Sequence, residues 1–320
     1  MKKIQLSQTG VEVSCLALGT LRFGTRNTYD EAARLMDMYV EAGGNFIDTA
    51  NAYDRWCSQG KGGESEVTIG RWLRERGLRD RLFIATKVGF GYQDVADGLA
   101  AATIISECEN SLRKLGTDRI DLFYAHKDDP NIPLEETLSA FNKLIADGKI
   151  RFFGASNYLP WRLADADAIA ARKGWQSFAC VEQRGTYLRP NPGANFSPQQ
   201  IIDRNLMTYC DARGKTILPY TPLLRGAYIR SDRPIPSPYR GPDTDLRLAV
   251  LHEVTRELGA NANQVVLAWM MYRQPPFLPV FSARNPKQMQ ENLGALDITL
   301  SAEQIERLDR AGNCVNDEPV

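Results

Sequence analysis

A short apolar run followed by an amphipathic stretch recurs eight times along the chain, and this alternation constrains the fold more than any other feature. Strands that alternate with helices favour parallel pairing and a closed (β/α)8 TIM barrel. A doubly wound sheet is the alternative, but the G-x-G-x-x-G turn expected after its first strand is absent. The predicted strands are 15–20, 46–48, 81–87, 120–126, 150–155, 178–183, 216–220 and 278–281.

The remaining elements complete a single barrel domain over residues 1–320. We predict an N-terminal β-hairpin within 1–13, a barrel over 14–297 and a C-terminal helix and tail over 298–320. Two long irregular stretches, 184–197 and 221–243, follow strand ends, so we expect them to overhang the active site. The predicted helices are 30–42, 66–76, 103–115, 134–146, 161–172, 198–212, 246–258, 263–272, 287–296 and 302–311.

Composition excludes several function classes. The chain has 39 basic and 39 acidic residues, so no positive excess favours nucleic acid or a membrane surface. No run approaches the ~18 apolar residues of a membrane span. No apolar stretch of about 7–15 residues follows Lys2 and Lys3, as a signal peptide would require. We therefore expect a cytoplasmic protein.

The cysteines and histidines do not form a metal-site pattern. The six cysteines contain no C-x-x-C pair, and the chain has only two histidines. We predict no metal and expect mostly buried, reduced thiols. Cys57 has no adjacent histidine to activate it, so we do not expect a reactive thiol there.

Polar residues end three successive predicted strands, namely Asp48, Lys87 and His126, and Tyr53 follows Asp48 on a loop. The carboxyl ends of parallel barrel strands face the catalytic rim. Alone, Asp48 is typical of a helix cap or a surface ion pair, and a strand-end lysine or histidine is typically structural. The four together indicate one site.

Four ordered motifs resemble the aldo-keto reductase family. They are F-I-D-T-A-x-x-Y over 46–53, T-K at 86–87, I-D-L-F-Y-x-H over 120–126 and G-K-I-R-x-x-G-x-S-N over 148–157. The resemblance runs from about residue 3 to residue 311. It implies an NADPH-dependent reductase of aldehydes or ketones, in which Tyr53 donates the proton. In this scheme Lys87 lowers the pKa of Tyr53, Asp48 keeps Lys87 charged, and His126 positions the substrate oxygen.

The resemblance also implies a nicotinamide cofactor across the top of the barrel. Ser156, Asn157 and Gln183 would hold the carboxamide, and Tyr220 would stack on the nicotinamide ring. Alone, Ser156-Asn157 is typical of a helix N-cap, and Tyr220 of a packing residue. The loop after strand seven would wrap the pyrophosphate with its backbone N–H groups. The further cofactor residues implied are Gly19, Thr20, Thr221, Leu223 and Gly226.

The segment from Ser282 to Asn292 would bind the adenosine end of the cofactor. It follows strand eight and enters a helix whose N-terminus suits an anion. Arg284 can neutralise a phosphate, which favours NADP(H) over NAD(H), although Arg284 and Lys287 alone would indicate a solvated face. Gln288, Glu291 and Asn292 would grip the adenosine. The family often has glycine or lysine where Ser282 stands, which leaves the cofactor preference open.

The substrate pocket is the least constrained part of the chain. The segment between Tyr53 and Glu64 is longer than usual and should border the pocket. Several arginines would suit a polar, sugar-like or acidic carbonyl compound. The natural substrate and the oligomeric state stay open. The candidate pocket residues are Arg22, Trp56, Arg184, Tyr187, Arg225 and Tyr228.

Three alternative functions compete with carbonyl reduction. The physiological direction could be the oxidation of a sugar or another alcohol. A Schiff-base aldolase could use Lys87, but it would leave Tyr53 and the segment 284–292 without a role. A non-catalytic cofactor-sensing subunit is the third, because the family's fold also serves as an ion-channel accessory protein. The intact set of four polar residues argues against it.

Overall fold

The strands form a closed parallel barrel and a separate hairpin. The computed structural model describes residues 1–55 and 60–312. In these ranges the strands are β1 (Lys3–Gln5), β2 (Glu12–Ser14), β3 (Ala17–Gly19), β4 (Phe46–Asp48), β5 (Phe83–Val88), β6 (Ile120–Ala125), β7 (Ile150–Ser156), β8 (Cys180–Arg184), β9 (Thr216–Tyr220) and β10 (Val280–Phe281). β3 to β10 close in chain order, with β10 paired to β3. The predicted (β/α)8 barrel is confirmed.

Helices surround the barrel, and several of them begin or end at a sequence signal. For example, Thr28 and Glu31 form a capping box before the first helix, and Gly43 follows its end with a φ of 85°. The α-helices of the described residues are α1 (Tyr29–Glu41), α2 (Glu64–Arg76), α3 (Ala101–Leu115), α4 (Leu134–Ala146), α5 (Pro160–Lys173), α6 (Arg204–Ala212), α7 (Pro242–Leu258), α8 (Ala262–Tyr272), α9 (Pro286–Leu293) and α10 (Ala302–Arg310).

The hairpin closes the end of the barrel where the strands begin. β1 and β2 pair antiparallel, with Lys3 opposite Ser14, as the sequence predicts. Leu6 and Val13 are fully buried and pack with the first inward residues of the barrel, such as Phe46. The opposite end is thereby left as the accessible face.

Alternation along each strand separates an apolar interior from a polar rim. Because side chains of a strand point to opposite faces in turn, Phe46 and Asp48 both face the barrel axis. The same alternation places Lys87 above Ala85 and Glu182 above Cys180. Charged groups therefore meet at the carboxyl end of the barrel, above the apolar side chains that fill its interior.

The outward faces of the strands build the larger core, between the barrel and the helices. Ile47, Ile84 and Phe153 are buried there, and Phe141 of α4 stacks on Phe153 with ring centroids 5.0 Å apart. Burying each such side chain stabilises the fold by about 1.5–3 kcal/mol. This packing fixes the strand ends, and therefore the rim.

The helix predicted from residue 198 begins later, at Arg204. The backbone N–H of Arg184 bonds to Gln200 O at 3.0 Å, and that of Ile202 bonds to Arg184 O at 2.9 Å. This segment is therefore held extended against the end of β8. Asp203 then caps α6 through the N–H of Leu206 at 2.8 Å. Long-range pairing outweighs the local helical pattern.

Other features agree with or refine the expectations. The strand predicted over 278–281 is regular only over Val280–Phe281, and α7 begins four residues before the predicted 246.

Cys15, Cys108, Cys180 and Cys210 are buried free thiols. Trp56, Cys57 and Cys314 lie outside the described residues. In the part of the chain described, no helix has both the length and the apolar character needed to cross a membrane.

Candidate active site

The four polar residues predicted from the strand ends converge on the barrel rim. Asp48 ends β4, Lys87 lies near the end of β5, His126 follows β6, and Tyr53 lies on the loop after β4. Asp48 and Lys87 are buried, whereas Tyr53 and His126 are partly exposed. The ion pair therefore lies beneath the two groups that can contact a substrate.

Lys87 is held by three hydrogen bonds. Its Nζ donates to Asp48 Oδ2 at 2.5 Å, to Tyr53 OH at 2.9 Å and to Thr49 O at 3.0 Å. The Tyr53 hydroxyl donates in turn to Asp48 Oδ2 at 3.2 Å. An ammonium has three donors, and all are used. The position of Lys87 against the Tyr53 hydroxyl is therefore fixed from three sides.

His126 lies edge-on between two aromatic rings. Its ring centroid is 5.9 Å from that of Tyr53 and 4.7 Å from that of Phe90. Asn157 Nδ2 donates to the backbone carbonyl of His126 at 2.9 Å. His126 Nδ1 has no hydrogen-bond partner in ranges 1–55 and 60–312. The imidazole is thus held in place by packing.

The structure corrects one expectation about Tyr53. Burial raises the pKa of its hydroxyl, and the Asp48 carboxylate raises it further. Lys87 lowers the pKa of Tyr53, in the predicted direction, but the opposing effects are larger and leave it well above the ordinary value of 10. Tyr53 therefore holds its proton at neutral pH, in the form that a proton donor requires.

The charges of Lys87 and His126 follow from their surroundings. Burial lowers the pKa of Lys87, but Asp48 and Glu182 outweigh it, so the pKa is raised and the ammonium stays charged. Burial also lowers the pKa of His126 well below 6.5, and the positive charge of Lys87 adds to the shift. The imidazole is therefore neutral at pH 7.

Hydrogen bonds fix the loop that carries Tyr53. Asn51 N donates to Lys87 O at 3.2 Å, and Asn51 Nδ2 donates to Glu107 Oε2 of α3 at 2.8 Å. The Tyr92 hydroxyl donates to the same Glu107 oxygen at 2.7 Å. This support comes from another helix and another loop, so no local motif predicts it.

Two residues beside the four were not predicted. Glu182 is buried, with its Oε2 3.4 Å from Lys87 Nζ. Its spacing of two residues from the inward-facing Cys180 is the signal that could have identified it. Phe90, which packs on His126, lies in a loop where no periodicity points to the site.

The predicted nicotinamide residues gather next to this group. Asn157 Oδ1 accepts from the Tyr220 hydroxyl at 2.7 Å, and Asn157 Nδ2 donates to Ser156 Oγ at 3.0 Å. Gln183 bonds through both amide atoms to the backbone of Tyr158, at 3.2 Å each. The amide of Asn157 therefore links the end of β7 to the end of β9.

The loop after β9 has an unusual backbone. Thr221 has a φ of 60°, and Leu224, Arg225 and Gly226 have φ values of 46°, 60° and 89°. Each such non-glycine conformation costs of order 1–3 kcal/mol, and such strain is concentrated at functional sites. Leu223, the other residue predicted here, is buried. The loop is therefore a shaped turn rather than an extended connection.

Positive charge is concentrated beside the start of α9. Arg284 lies just before Asn285, which caps this helix by accepting from Gln288 N. Burial lowers the pKa of Arg284, as do the neighbouring arginines. The pKa of Arg22 is lowered to about 10, by burial first and then by Arg284. This cluster, called the arginine cluster below, comprises Arg22, Arg26, Arg225, Arg230, Arg233 and Arg284.

The other predicted cofactor residues lie at the ends of β3 and β10 and on α9. A Cβ on Gly19 would lie 3.1 Å from Val280, so the strands approach closely there. Thr20 is buried and its hydroxyl donates to Asp48 O at 2.8 Å, which makes it a support for Asp48. On α9, Asn292 Nδ2 donates to Ser282 O at 3.2 Å, while Glu291 is partly exposed.

The structure corrects part of the predicted substrate pocket. Tyr187 and Tyr228 are buried, and their hydroxyls bond to Arg247 O at 3.2 Å and to Thr186 Oγ1 at 2.6 Å, respectively. Neither side chain is offered to a substrate. Arg184 bonds to Tyr239 and Gln199 in the long loop. Arg22 and Arg225 belong to the arginine cluster, and Trp56 lies outside the described residues.

A cleft of about 500 Å³ lies between the loops that follow β4 and β5. The Arg55 guanidinium lies 4.9 Å from the centroid of Phe90, whose ring packs on His126. An open volume therefore lies next to the partly exposed aromatic groups. The cleft is lined by Arg55, Gly60, Lys61, Gly91, Tyr92 and Gln93.

Comparison with known proteins gives a consistent result. Residues 15–313 match the model of the aldo/keto reductase family. Norsolorinic acid reductase stcV of Emericella nidulans is 33% identical over 94% of this chain and 78% of its own. Aryl-alcohol dehydrogenase [NADP(+)] of Phanerodontia chrysosporium is 30% identical over 94% of this chain and 83% of its own.

A solved structure is similar over the same extent. It is the crystal structure of a thermostable aldo-keto reductase in complex with the inhibitor epalrestat. It superposes with a TM-score of 0.75 at 27% identity, over 97% of this chain and 99% of that one. The similarity therefore covers the barrel and all the strand ends that form the site.

Proposed function

Because this chain belongs to the aldo/keto reductase family, we propose that it is an NADPH-dependent oxidoreductase that reduces an aldehyde or ketone to an alcohol. Tyr53 is the proton donor in this proposal. The observation that carries it is the Tyr53 hydroxyl, held by Lys87 at 2.9 Å and by Asp48 at 3.2 Å beside the ring of His126. That is an acid and a neutral hydrogen-bond donor, both partly exposed on one rim.

Each residue has a distinct task in the reduction. The neutral imidazole of His126 donates one N–H to the carbonyl oxygen and polarises it. Tyr53 turns its proton from Asp48 to the same oxygen. Lys87 stabilises the phenolate that remains, and Asp48 keeps Lys87 in place. When bound, NADPH supplies the hydride, which no side chain can provide.

The predicted cofactor residues and the arginine cluster fit a phosphorylated dinucleotide. Asn157 holds Tyr220 through a hydrogen bond of 2.7 Å, and the Tyr220 ring would stack on the nicotinamide. The arginine cluster concentrates positive charge that a 2′-phosphate would neutralise. The relative named aryl-alcohol dehydrogenase [NADP(+)] supports the same preference.

We infer a planar, aromatic carbonyl substrate. Phe90 and His126 form an aromatic wall next to the cleft, and Tyr92 lines the cleft itself. Stacked or edge-to-face contacts on such a wall favour an aromatic ring over a flexible aliphatic chain. The relative named aryl-alcohol dehydrogenase agrees with this class.

Among the alternative functions, alcohol oxidation has support, whereas the Schiff-base aldolase has an observation against it. The same groups catalyse the reverse reaction, and the relative named an alcohol dehydrogenase favours oxidation as the physiological direction. A Schiff-base aldolase needs an uncharged lysine, usually through a lowered pKa. The pKa of Lys87 is raised instead, which argues against that chemistry. A cofactor-sensing subunit would bind NADPH without turnover.

An isotope experiment tests the proposal. The protein is incubated with NADPH carrying deuterium at the reactive C4 position and with an activated benzaldehyde. We expect NADPH oxidation in step with alcohol formation, and deuterium on the former carbonyl carbon. Cofactor binding without label transfer would support the sensing subunit. A substrate adduct on Lys87 trapped by borohydride would support the aldolase.

A further inference from the structure

We propose that Glu182 is a second buried carboxyl group of the site, which stores a proton and returns it through Lys87 to Tyr53 after each reduction. This inference rests on the proposed reduction. It assigns Glu182 the role of a positioning and proton-storing residue that acts through Lys87 without touching the substrate.

The geometry places Glu182 on the same ammonium as Tyr53. Lys87 Nζ lies 3.4 Å from Glu182 Oε2 and 2.9 Å from the Tyr53 hydroxyl. The side chain of Glu182 is 4% exposed and that of Lys87 is fully buried. One ammonium therefore contacts both the proton donor and a carboxyl group screened from solvent.

The charge balance requires one protonated carboxyl. Asp48 and Glu182 lie within ion-pair distance of the same Lys87 Nζ, at 2.5 Å and 3.4 Å, and the charge of Asp48 raises the pKa of Glu182. Two ionised carboxylates with a single ammonium would leave a net negative charge in a buried site, which is costly. Two adjacent carboxyl groups cannot both ionise easily, whereas one shared proton satisfies both.

The proton resides on Glu182 rather than on Asp48. Asp48 accepts hydrogen bonds from both Lys87 and Tyr53, which favour its ionised form. Glu182 receives only the longer Lys87 contact. Burial first, and the charge of Asp48 second, raise the pKa of Glu182 to about 8. Glu182 is therefore protonated at pH 7 and is still a stronger acid than Tyr53.

The transfer balances without any other reactant. After Tyr53 has given its proton to the substrate oxygen, a Lys87 N–H bond breaks as the Tyr53 O–H bond forms. Rotation about the Lys87 Cε–Nζ bond turns the vacant position of the neutral amine from Tyr53 towards Glu182 Oε2, 3.4 Å away. The Glu182 O–H bond then breaks as a new N–H bond forms on Lys87. The result is neutral Tyr53, ionised Glu182 and unchanged Lys87. One proton from water restores Glu182 after product release.

Other titratable groups face Glu182 from neighbouring strands. Tyr124 on β6, Cys180 on its own strand and Tyr220 on β9 all interact with it electrostatically. Burial raises the pKa of each of these three groups above its ordinary value, so they stay neutral below pH 9. Beside the charged pair of Asp48 and Lys87, Glu182 is therefore the group that changes charge near pH 8.

The variant Glu182→Gln tests the role, because it keeps the shape and removes the proton. We expect steady-state reduction at pH 7 to fall about tenfold, within the range for loss of a proton-transfer group. The wild-type steady-state rate should fall above about pH 8, as Glu182 ionises. This fall, the alkaline limb of the pH–rate profile, should be absent in the variant. A single turnover uses the proton already on Tyr53, so its rate should change less than twofold.

A merely structural role would give a different pattern. Misplacement of Lys87 would slow the single turnover as much as the steady state, and that result would overturn the proposal. So would an alkaline limb of unchanged midpoint in Glu182→Gln. The control is Glu66→Gln, which removes another buried carboxyl, one bonded to Thr86 Oγ1 at 2.6 Å, and should leave the limb in place. Absence of turnover in the wild type would instead reject the proposed reduction.

An infrared titration of the wild type keeps the proposal testable if Glu182→Gln does not fold. A protonated carboxyl band should be present at pH 7 and disappear with a midpoint near pH 8. Spectra of Glu66→Gln and Glu182→Asp assign this band: it belongs to Glu182 if only the Glu182 variant alters it. A wild-type spectrum without such a band at pH 7 would exclude a stored proton.

Discussion

Lys87 Nζ donates to the Tyr53 hydroxyl over 2.9 Å while its own side chain is completely buried. A buried ammonium is stable only if it is paired and hydrogen-bonded. Asp48 supplies that pairing, and β4 and β5 supply the positions of both residues. The same interaction therefore stabilises the barrel rim and prepares the proton donor.

The first prediction concerns the stability of this ion pair. Replacing Lys87 with methionine leaves the Asp48 charge buried without its partner. We expect the free energy of unfolding, measured in urea, to fall by about 3–5 kcal/mol. The double variant Lys87→Met with Asp48→Asn should recover a large part of this loss, because it removes both charges. A single-variant loss below 1 kcal/mol would show that the pair is not held as described.

The second prediction concerns His126 and acid. Its pKa in the folded protein is lowered below the unfolded value of about 6.5. Its neutral form therefore stabilises the protein above pH 6.5, and this contribution is lost as the pH falls towards the folded pKa. We expect His126→Gln to lose less stability than the wild type between pH 7.5 and pH 5. Urea unfolding at pH 7.5 and at pH 5 measures this loss of stability.

The matched control for this prediction is His252→Gln. His252 is the other histidine of the chain, and it is exposed on α7. Its replacement should leave the acid sensitivity of the wild type in place. Equal acid sensitivity of wild type and His126→Gln would contradict the lowered pKa of the imidazole.

The third prediction concerns cofactor preference. Arg284→Gln removes a charge from the arginine cluster, and a charged hydrogen bond contributes about 1.5–3 kcal/mol. We expect the Kd for NADPH to rise about 10- to 100-fold and the Kd for NADH to change little. Calorimetric titration with each cofactor measures both. Lys287→Gln, at an exposed neighbour on α9, serves as the control for a general loss of charge.

Equal weakening of NADPH and NADH by Arg284→Gln would contradict the phosphate contact. It would indicate that Arg284 supports the shape of the cofactor site instead. Asn27 Nδ2 bonds to the Arg284 carbonyl at 2.9 Å, so the backbone there should survive the substitution. The two outcomes are therefore distinguishable.

The sequence predicts the barrel and its four central residues because both depend on short-range patterns. Period-two strands and helical spacing define the elements, and strand ends define Asp48, Lys87 and His126. Pairing of residues 200–202 with the end of β8 is a long-range effect, so the start of α6 was predicted wrongly. Local pattern cannot show which extended segments find a partner.

The loops explain the remaining differences. Tyr187 and Tyr228 looked like pocket residues because they follow strand ends, but their hydroxyls find buried partners. Arg26, Arg230 and Arg233 join Arg284 only through folding of separate loops. Predicting such contacts requires the loop paths, which depend on tertiary packing. Glu182 differs, since strand periodicity alone would have placed it inside the barrel.

The role of Tyr53 is tested most directly by Tyr53→Phe, in the oxidation of NADPH with an activated aromatic aldehyde. This variant removes the hydroxyl bonded to Lys87 and keeps the ring that packs on His126. We predict a fall in kcat of about 10²–10⁴-fold, with the Kd for NADPH changed less than twofold. Tyr228→Phe, which loses a buried hydroxyl away from the site, should keep its activity. Turnover of Tyr53→Phe at the wild-type rate would contradict Tyr53 as the proton donor.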